Sequence, residues 1–235
     1  MNFEKFEREF SDLANLFKYE GFYNKRSSNY EEDLYGKFLE YRFIIRIITS
    51  RLESDISEFI PLDNSLLESL GKSPELDLDK AEQLTTVLSK INLDVSDFYI
   101  YTRIFLDTLN MCIRHSFKHT GNKKWGVMTP SITGLLNENK MRTYKREIDF
   151  QFFEGLENKV SWIHNLKKPR DHLVHGQHHF VLTDTRQGEM GPDLIGKVKR
   201  IWGTEKVKPV LRELQGILGN ISDLMNYLHK NLPRK

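Results

Sequence analysis

The chain has 235 residues, of which 39% are hydrophobic and 29% charged, and its formal net charge of +2 is close to balance. No apolar run approaches the roughly 20 residues of a membrane span, and the lone cysteine, Cys112, excludes an intrachain disulfide and a cysteine-rich zinc site. A balanced charge gives no general attraction to polyanions, so nucleic-acid binding would have to rest on local basic clusters. The opening residues, Met1–Lys5, lack the basic and apolar regions of a secretory signal. With the lone thiol, this predicts a cytoplasmic protein that does not enter the membrane.

The periodicity of the apolar residues predicts an all-α fold. Helical spacing indicates an amphipathic helix up to about residue 19 and a shorter helix over about residues 79–90. The core is predicted to consist of four long helices, over about residues 30–59, 95–119, 142–175 and 204–230. Pro61 ends the first of these, because its ring removes a backbone donor and clashes with the preceding turn. The acidic residues 62–78 are therefore expected to form a loop.

Polar residues and glycines add detail to this prediction. Asp94 is expected to cap the helix over residues 95–119, and a short helix is predicted over about residues 131–137. Gly216 and Gly219 lie inside the last helix, where glycine costs about 1 kcal/mol relative to alanine. Their presence indicates either the close approach of another helix or positions at which glycine is merely tolerated.

The organisation is predicted to be a single domain over residues 1–235, because no repeat or low-complexity linker interrupts it. Residues 1–94 supply the N-terminal helices and the acidic loop, and residues 95–235 form the part that carries the chemistry. Segments 180–182 and 194–195 flank a turn-like stretch and are compatible with a small β-hairpin.

Arg170, Asp171 and His175 form the densest group of chemically active side chains. If the segment is helical, Asp171 and His175 stand one turn apart, close enough to hydrogen-bond, and the long side chain of Arg170 can swing toward them. Arginine offers a fixed positive charge with a planar donor fork, and histidine exchanges a proton near neutral pH. This combination suits phosphate chemistry.

The pattern of arginine, aspartate, three residues and histidine resembles the signature of the HEPN superfamily (higher eukaryotes and prokaryotes nucleotide-binding). A helix follows the motif, as it does in that family, and residues 97–107 resemble a helix of bacterial HEPN-like proteins. The likeness spans about residues 95–230. It implies a HEPN-like helical bundle, which this chain would extend with N-terminal helices.

For function, the resemblance implies a metal-independent endoribonuclease of an antiviral defence or toxin–antitoxin system, with no cofactor. Arg170 would hold the scissile phosphate, and His175 would transfer protons to leave a 2′,3′-cyclic phosphate. Asp171 would orient the imidazole or help to position Arg170. HEPN proteins typically pair, which implies a two-fold homodimer with Arg170 and His175 near the axis. The alternative is a non-catalytic module that binds RNA, a nucleotide or a protein partner such as an antitoxin.

Two basic clusters extend the hypothesis to RNA binding. Lys167 and Lys168 precede the motif, and Arg114 and Lys118 lie one turn apart near the end of a predicted helix, followed by Trp125 in a basic loop. Basic side chains neutralise a nucleic-acid backbone, and an exposed indole can stack on a base. In the simpler interpretation, the charges form a solvated face and Trp125 is a packing anchor.

Arg103 and Asp107 are predicted to support the site. Their spacing of one helical turn allows a plain intrahelical ion pair; alternatively, Asp107 faces the motif and orients Arg170. A histidine cluster over residues 172–179 contains one pair at the spacing of a helical zinc site, but Gly176 is expected to break the helix between its members. The sequence therefore predicts no metal site.

Overall fold

The computed structural model describes residues 3–19, 34–72, 77–164, 166 and 204–234. Its α-helices are α1 (Glu4–Tyr19), α2 (Leu34–Lys72), α3 (Leu78–His119), α4 (Glu138–Glu147), α5 (Phe150–Val160) and α6 (Thr204–Asn231). Single 3-10 turns occur at Trp125–Val127, Ile132–Gly134 and Ser161–Ile163. The described part of the chain contains helices and turns without a strand, which confirms the all-α prediction; the hairpin segments lie outside it. None of these helices is both long enough and apolar enough to cross a membrane.

Helix α2 continues through Pro61 to Lys72, so the predicted stop is wrong, and residues 62–72 of the predicted loop are helical. Phe59 and Leu66 are both buried, two turns apart, whereas Pro61 is exposed. One apolar face therefore runs past the proline, and its packing outweighs the lost backbone hydrogen bond.

Helix α3 is continuous from Leu78, so the predicted break before Asp94 is also wrong. Asp77 caps its N-terminus: the Asp77 carboxylate accepts a hydrogen bond from the backbone N–H of Lys80 at 3.1 Å. Asp94 lies mid-helix with a side chain only 4% exposed, where it forms an ion pair with Arg51 of α2. The Asp94 carboxylate therefore links α3 to α2 through this ion pair and does not cap a helix.

The predicted long helix over residues 142–175 is interrupted within its described part. Helix α4 ends at Glu147, and the Asp149 carboxylate accepts from the Phe152 backbone N–H at 2.8 Å to start α5. The short aspartate side chain competes with helical hydrogen bonds, which explains the break. The short helix predicted over residues 131–137 is reduced to the 3-10 turn Ile132–Gly134.

The chain forms two compact units built from segments that are distant in sequence. Among the described residues, unit 1 comprises 3–19, 34–45, 100–164, 166 and 215–234, and unit 2 comprises 46–72, 77–99 and 204–214. The single-domain organisation over residues 1–235 stays a prediction.

Unit 1 has an aromatic core. Phe10 of α1 stacks on Phe38 of α2 with ring centroids 4.2 Å apart, and Tyr41 of α2 stacks on Phe105 of α3 at 3.9 Å. Near the end of α3, Phe117 lies against the rings of α5. Each aromatic pair contributes about 0.5–1.5 kcal/mol beyond its buried area. These contacts fix α3 against α2 and α5, and so position its last turns.

Unit 2 has a mostly aliphatic core. Buried apolar side chains of α2 and α3 here are Ile48, Leu52, Ile56, Phe59, Leu66, Leu84, Val87, Leu88, Ile91, Val95 and Phe98. The Tyr99 hydroxyl donates to the Glu213 carboxylate of α6 at 2.6 Å, and burial raises the pKa of this phenol.

The last helix, predicted over about residues 204–230, is present as α6. Between Leu214 and Leu228 it buries Leu214, Ile217, Leu218, Ile221, Leu224, Met225 and Leu228. Of the two interpretations of Gly216 and Gly219, the described residues favour tolerance, because an added methyl group at either position would meet no described atom within 4 Å.

Candidate nucleic-acid interface

A glycine turn closes the C-terminal end of α3. The Asn122 N–H donates to the Phe117 carbonyl and the Gly121 N–H donates to the Lys118 carbonyl, both at 3.1 Å. Gly121 has φ of 78°, in the left-handed region that glycine occupies without strain. This pattern is a Schellman motif. It reverses the chain, so that Trp125 returns to the last turns of α3.

The indole ring of Trp125 makes cation–π contacts with two basic side chains of α3. The Arg114 guanidinium lies 4.5 Å from the indole centroid and the Lys118 ammonium 4.9 Å from it. Contacts of this kind contribute about 0.5–1 kcal/mol each at exposed sites. Trp125 is half-buried, while Gly126 and Val127 beside it are exposed. We call Arg114, Lys118 and Trp125 the Trp125 surface; it presents two fixed positive charges next to an aromatic ring.

Asp107 holds the loop that carries Trp125. Its Oδ1 atom accepts hydrogen bonds from the Ile132 backbone N–H at 2.8 Å and from the Ser131 hydroxyl at 3.1 Å. Arg103 lies 3.6 Å from the other carboxylate oxygen and donates to the Ser131 hydroxyl at 3.3 Å. The intrahelical pair expected from the sequence is thus present, and it also fixes the start of the Ile132–Gly134 turn.

Asn110 and Tyr144 anchor the middle of the same loop, and both side chains are buried. The Asn110 amide donates to the Thr129 carbonyl at 2.8 Å, and the Tyr144 hydroxyl accepts from the Thr129 N–H at 3.1 Å. Gly134 packs so tightly that an added methyl group would collide with the Thr129 hydroxyl and approach the Tyr144 hydroxyl to 2.8 Å. Contacts from α3 and α4 therefore preorganise the loop and its indole.

Further basic groups gather at this end of unit 1. The rings of His115 and His119 lie 4.6 Å apart on the stripe of α3 next to Arg114 and Lys118. The Ser116 hydroxyl donates to the Pro233 carbonyl at 2.8 Å, which docks the end of the chain against α3. The basic side chains of residues 114–124 and 229–234 are Arg114, His115, Lys118, His119, Lys123, Lys124, His229, Lys230 and Arg234. Such a concentration is the electrostatic footprint expected of a phosphate-binding surface.

Glu147 offsets part of this charge. Its carboxylate accepts from the Arg146 guanidinium at 2.8 Å and lies 3.6 Å from the Lys124 ammonium. The hydrogen bond from Arg146 and the charge of Lys124 hold the pKa of this carboxyl below its usual value. Glu147 therefore stays ionised at neutral pH and competes with any phosphate for these two cations.

A cavity of about 360 Å³ lies between α2 and α3 within unit 1. Its lining consists of Lys37, Glu40, Tyr41, Ile44, Tyr101, Ile104, Phe105, Asp107, Thr108 and Met111. The Tyr41 and Thr102 hydroxyls share a hydrogen bond at 3.2 Å, and burial raises the pKa of Tyr41. The phenol therefore stays neutral at physiological pH, and its role here is packing.

The predicted residues divide into two groups. The structure brings together Arg114, Lys118 and Trp125, and it pairs Arg103 with Asp107. The remaining candidates, Lys167, Lys168, Arg170, Asp171 and His175, lie outside the described residues, as does the cluster over 172–179. Their roles, and the alignment of Asp107 with Arg170, stay predictions.

Sequence reasoning missed Asn110 and Tyr144 as anchors of the loop. A signal existed for Asn110, because an amide on the buried side of a helix requires a hydrogen-bond partner. Tyr144 carried no comparable signal, since a tyrosine in an amphipathic helix is an ordinary core residue.

No family model, curated protein or solved structure matches this chain. Within the described ranges, no three His, Cys, Asp or Glu side chains come together as a metal site. The resemblance to the HEPN superfamily thus rests on the sequence motif, and the chemistry of the site follows from the residues that form it.

Proposed function

We propose that this chain is a metal-independent endoribonuclease of the HEPN type that binds RNA through the Trp125 surface. The observation that supports this most directly is the convergence of Arg114 and Lys118 on the indole, at 4.5 and 4.9 Å. Two cations one turn apart can neutralise backbone phosphates, while the indole can stack on an unpaired base. The anchored loop adds to this, because a fixed surface loses little conformational entropy when it binds.

Cleavage is assigned to Arg170, Asp171 and His175. RNA carries its own nucleophile, so the step needs neither a covalent enzyme intermediate nor a metal. His175 accepts the proton of the 2′-hydroxyl as its oxygen attacks phosphorus, and the bond to the 5′-oxygen breaks as that oxygen takes up a proton. The Arg170 fork stabilises the charge on the phosphoryl oxygens, and Asp171 orients the imidazole. The products are a 2′,3′-cyclic phosphate and a 5′-hydroxyl.

A two-fold homodimer belongs to this proposal, because a second motif would supply the complementary proton donor. A role in antiviral defence or a toxin–antitoxin system, in the cytoplasm and with an antitoxin or defence protein as partner, follows from the same resemblance. RNA is the substrate in either setting.

The test is cleavage of end-labelled single-stranded RNA in EDTA, with analysis of the new ends. Cyclic phosphate ends are expected, and an all-DNA strand should remain intact because it lacks the 2′-hydroxyl. His175→Ala should lower the rate by about 10²–10⁴-fold. Arg170→Lys should also be severely impaired, since a point charge cannot replace the planar fork.

The matched controls are His178→Ala and His179→Ala, which remove neighbouring imidazoles and should have mild effects. Loss of cleavage in EDTA, equal cleavage of DNA, or near-normal activity of His175→Ala would contradict the mechanism.

The second candidate function is a binding module without catalysis. The Trp125 surface favours it as well, because binding through cations and an indole requires no proton transfer. In this case the same assay gives stable retardation of intact RNA, and His175→Ala leaves that retardation unchanged.

A further inference from the structure

The loop that carries Trp125 contacts the junction between α4 and α5. The Lys124 ammonium lies 3.6 Å from the carboxylate of Glu147, the last residue of α4. The Asn122 amide donates to the Ile148 carbonyl at 3.4 Å, in the short link before α5 begins. Since Lys124 directly precedes Trp125 in the chain, this junction borders the Trp125 surface.

Phe150 follows this link as the first residue of α5, and its side chain has no place in the core. It is 63% exposed and makes no ring contact with any described residue, whereas Phe152 and Phe153 of the same helix are buried. The apolar face of α5 is therefore complete without Phe150. An exposed aromatic ring beside basic side chains is the kind of platform on which proteins stack unpaired bases.

Lys124 and Arg146 supply positive charge at the same junction, and both side chains are largely exposed. They share the Glu147 carboxylate, which accepts from Arg146 at 2.8 Å and lies 3.6 Å from Lys124. A carboxylate between two exposed cations occupies a position in which a phosphate, with more acceptor oxygens, can bind. Exposed ion pairs of this kind are weak, so an incoming phosphate can displace Glu147.

The carboxylates close to Phe150 in sequence are engaged by other groups. Asp149 accepts from the Phe152 backbone N–H at 2.8 Å, and Glu154 forms an ion pair with Lys145. Their negative charges are thus partly offset, and a neutral base is not repelled by the remainder. The ring of Phe150 therefore suits a base, whereas the two cations of the junction suit a phosphate.

We propose that Lys124, Arg146 and Phe150 form a second nucleotide subsite of the RNA interface. The two cations hold a backbone phosphate in place of Glu147, and the Phe150 ring stacks on an unpaired base. A strand that reaches both Trp125 and Phe150 binds more tightly than a shorter one. The inference rests on the proposed RNA binding and deepens it, because it identifies the ligand as a single strand of several nucleotides with unpaired bases.

The test is the fluorescence anisotropy of labelled single-stranded RNAs of about 2–12 nucleotides, titrated with the His175→Ala chain and with variants made in it. For the longest RNA, Phe150→Leu should raise the Kd at least about fivefold, the lower end for one stacked base. Phe150→Tyr keeps the ring and should bind like the parent chain. The gain in affinity with RNA length should be smaller in Phe150→Leu than in the parent.

The charges are tested by the combined substitution of Lys124→Gln and Arg146→Gln. The slope of log Kd against log salt should fall by about 0.7, the share of one phosphate on a single strand. Two matched controls should leave affinity and slope unchanged. Phe43→Leu alters a ring of α2 that is also 63% exposed, and Arg8→Gln alters an exposed arginine that, like Arg146, pairs with the next residue.

An unchanged Kd for Phe150→Leu with the longest RNA overturns the second subsite, and so does an equal loss in Phe150→Tyr or Phe43→Leu. Equal affinity for a duplex of the same sequence also overturns it, because paired bases cannot stack on the two rings. If Trp125→Leu still weakens binding in these cases, the proposed function stands and only this inference fails. A chain that binds none of the RNAs excludes both.

Discussion

Two surfaces of α3 in unit 1 differ in how they are held. At its end, the Trp125 surface is tied down by a glycine turn, by buried hydrogen bonds to the loop and by cation–π contacts. In its middle, Ile100 and Ile104 face solvent. A polar surface that already has its supporting contacts is preorganised for a charged ligand. The aliphatic side chains of the second surface carry no charge of their own. We therefore expect salt to weaken the binding of a charged ligand at the first surface, whereas the second offers no charge for salt to screen.

Asp107 is the residue shared by the two surfaces. One carboxylate oxygen holds the loop at Ser131 and Ile132, and the side chain also lines the cavity beside Ile104. Substitution of Asp107 should therefore release the loop at Ser131 and Ile132 while Ile100 and Ile104 keep their side chains.

The largest expected effect on stability is that of Gly134→Ala. The new methyl group collides with Thr129 and crowds the Tyr144 hydroxyl, both of which are held by hydrogen bonds. Overpacking of this kind costs about 1–3 kcal/mol, and the displaced loop should also lose RNA affinity. Urea unfolding and RNA titration measure the two effects.

Gly126→Ala is the control for that substitution, because it lies in the same loop and an added methyl group meets no described atom within 4 Å. Equal unfolding free energies for the two variants would show that the loop is not held as tightly as the contacts at Gly134 indicate.

A smaller effect is expected for Asp107→Ala. The Ile132 N–H and the Ser131 hydroxyl lose their acceptor, but Asp107 is only half-buried, so water can replace part of it and the cost is about 0.5–1.5 kcal/mol. The freed loop should also weaken RNA binding. Urea unfolding and RNA titration of the same sample measure the two effects. An unchanged RNA affinity would contradict the role of Asp107 in holding the loop.

The smallest effect concerns Glu147→Gln, which removes the carboxylate that competes for Lys124 and Arg146. RNA affinity should rise about two- to fivefold, the range of an exposed ion pair. Since the pKa of Glu147 is lowered in the folded protein, its carboxylate remains charged through the pH range in which a glutamate ordinarily titrates. The advantage of the variant should therefore persist from neutral pH downward and vanish only as the pH falls through that lowered pKa. A gain that disappears well above it would exclude Glu147 as the cause.

The helices were largely predictable because apolar periodicity reports burial directly. The errors at Pro61 and Asp94 share one cause. Both residues are local stop or start signals, and packing on each side of them outweighs the local preference. Long-range burial is not visible in a window of a few residues.

For the site, the sequence identified Arg114, Lys118 and Trp125 as residue types suited to RNA, but it did not show that the three side chains are in contact. That contact depends on the left-handed conformation of Gly121 and on hydrogen bonds such as that of Asn110, which join segments distant in sequence. For the Arg170–His175 motif, by contrast, the chemistry was predicted from residue types and spacing alone, without any tertiary contact.

RNA binding by the Trp125 surface is tested by the fluorescence anisotropy of labelled single-stranded RNA titrated with the His175→Ala chain at several salt concentrations. Trp125→Leu should weaken binding by about 5–150-fold, and Arg114→Ala with Lys118→Ala should lower the salt slope by about 1–2. Phe43→Leu, at an equally exposed aromatic residue of α2, should change neither. Unchanged affinity and slope in the Trp125 and Arg114–Lys118 variants would show that this surface does not bind RNA.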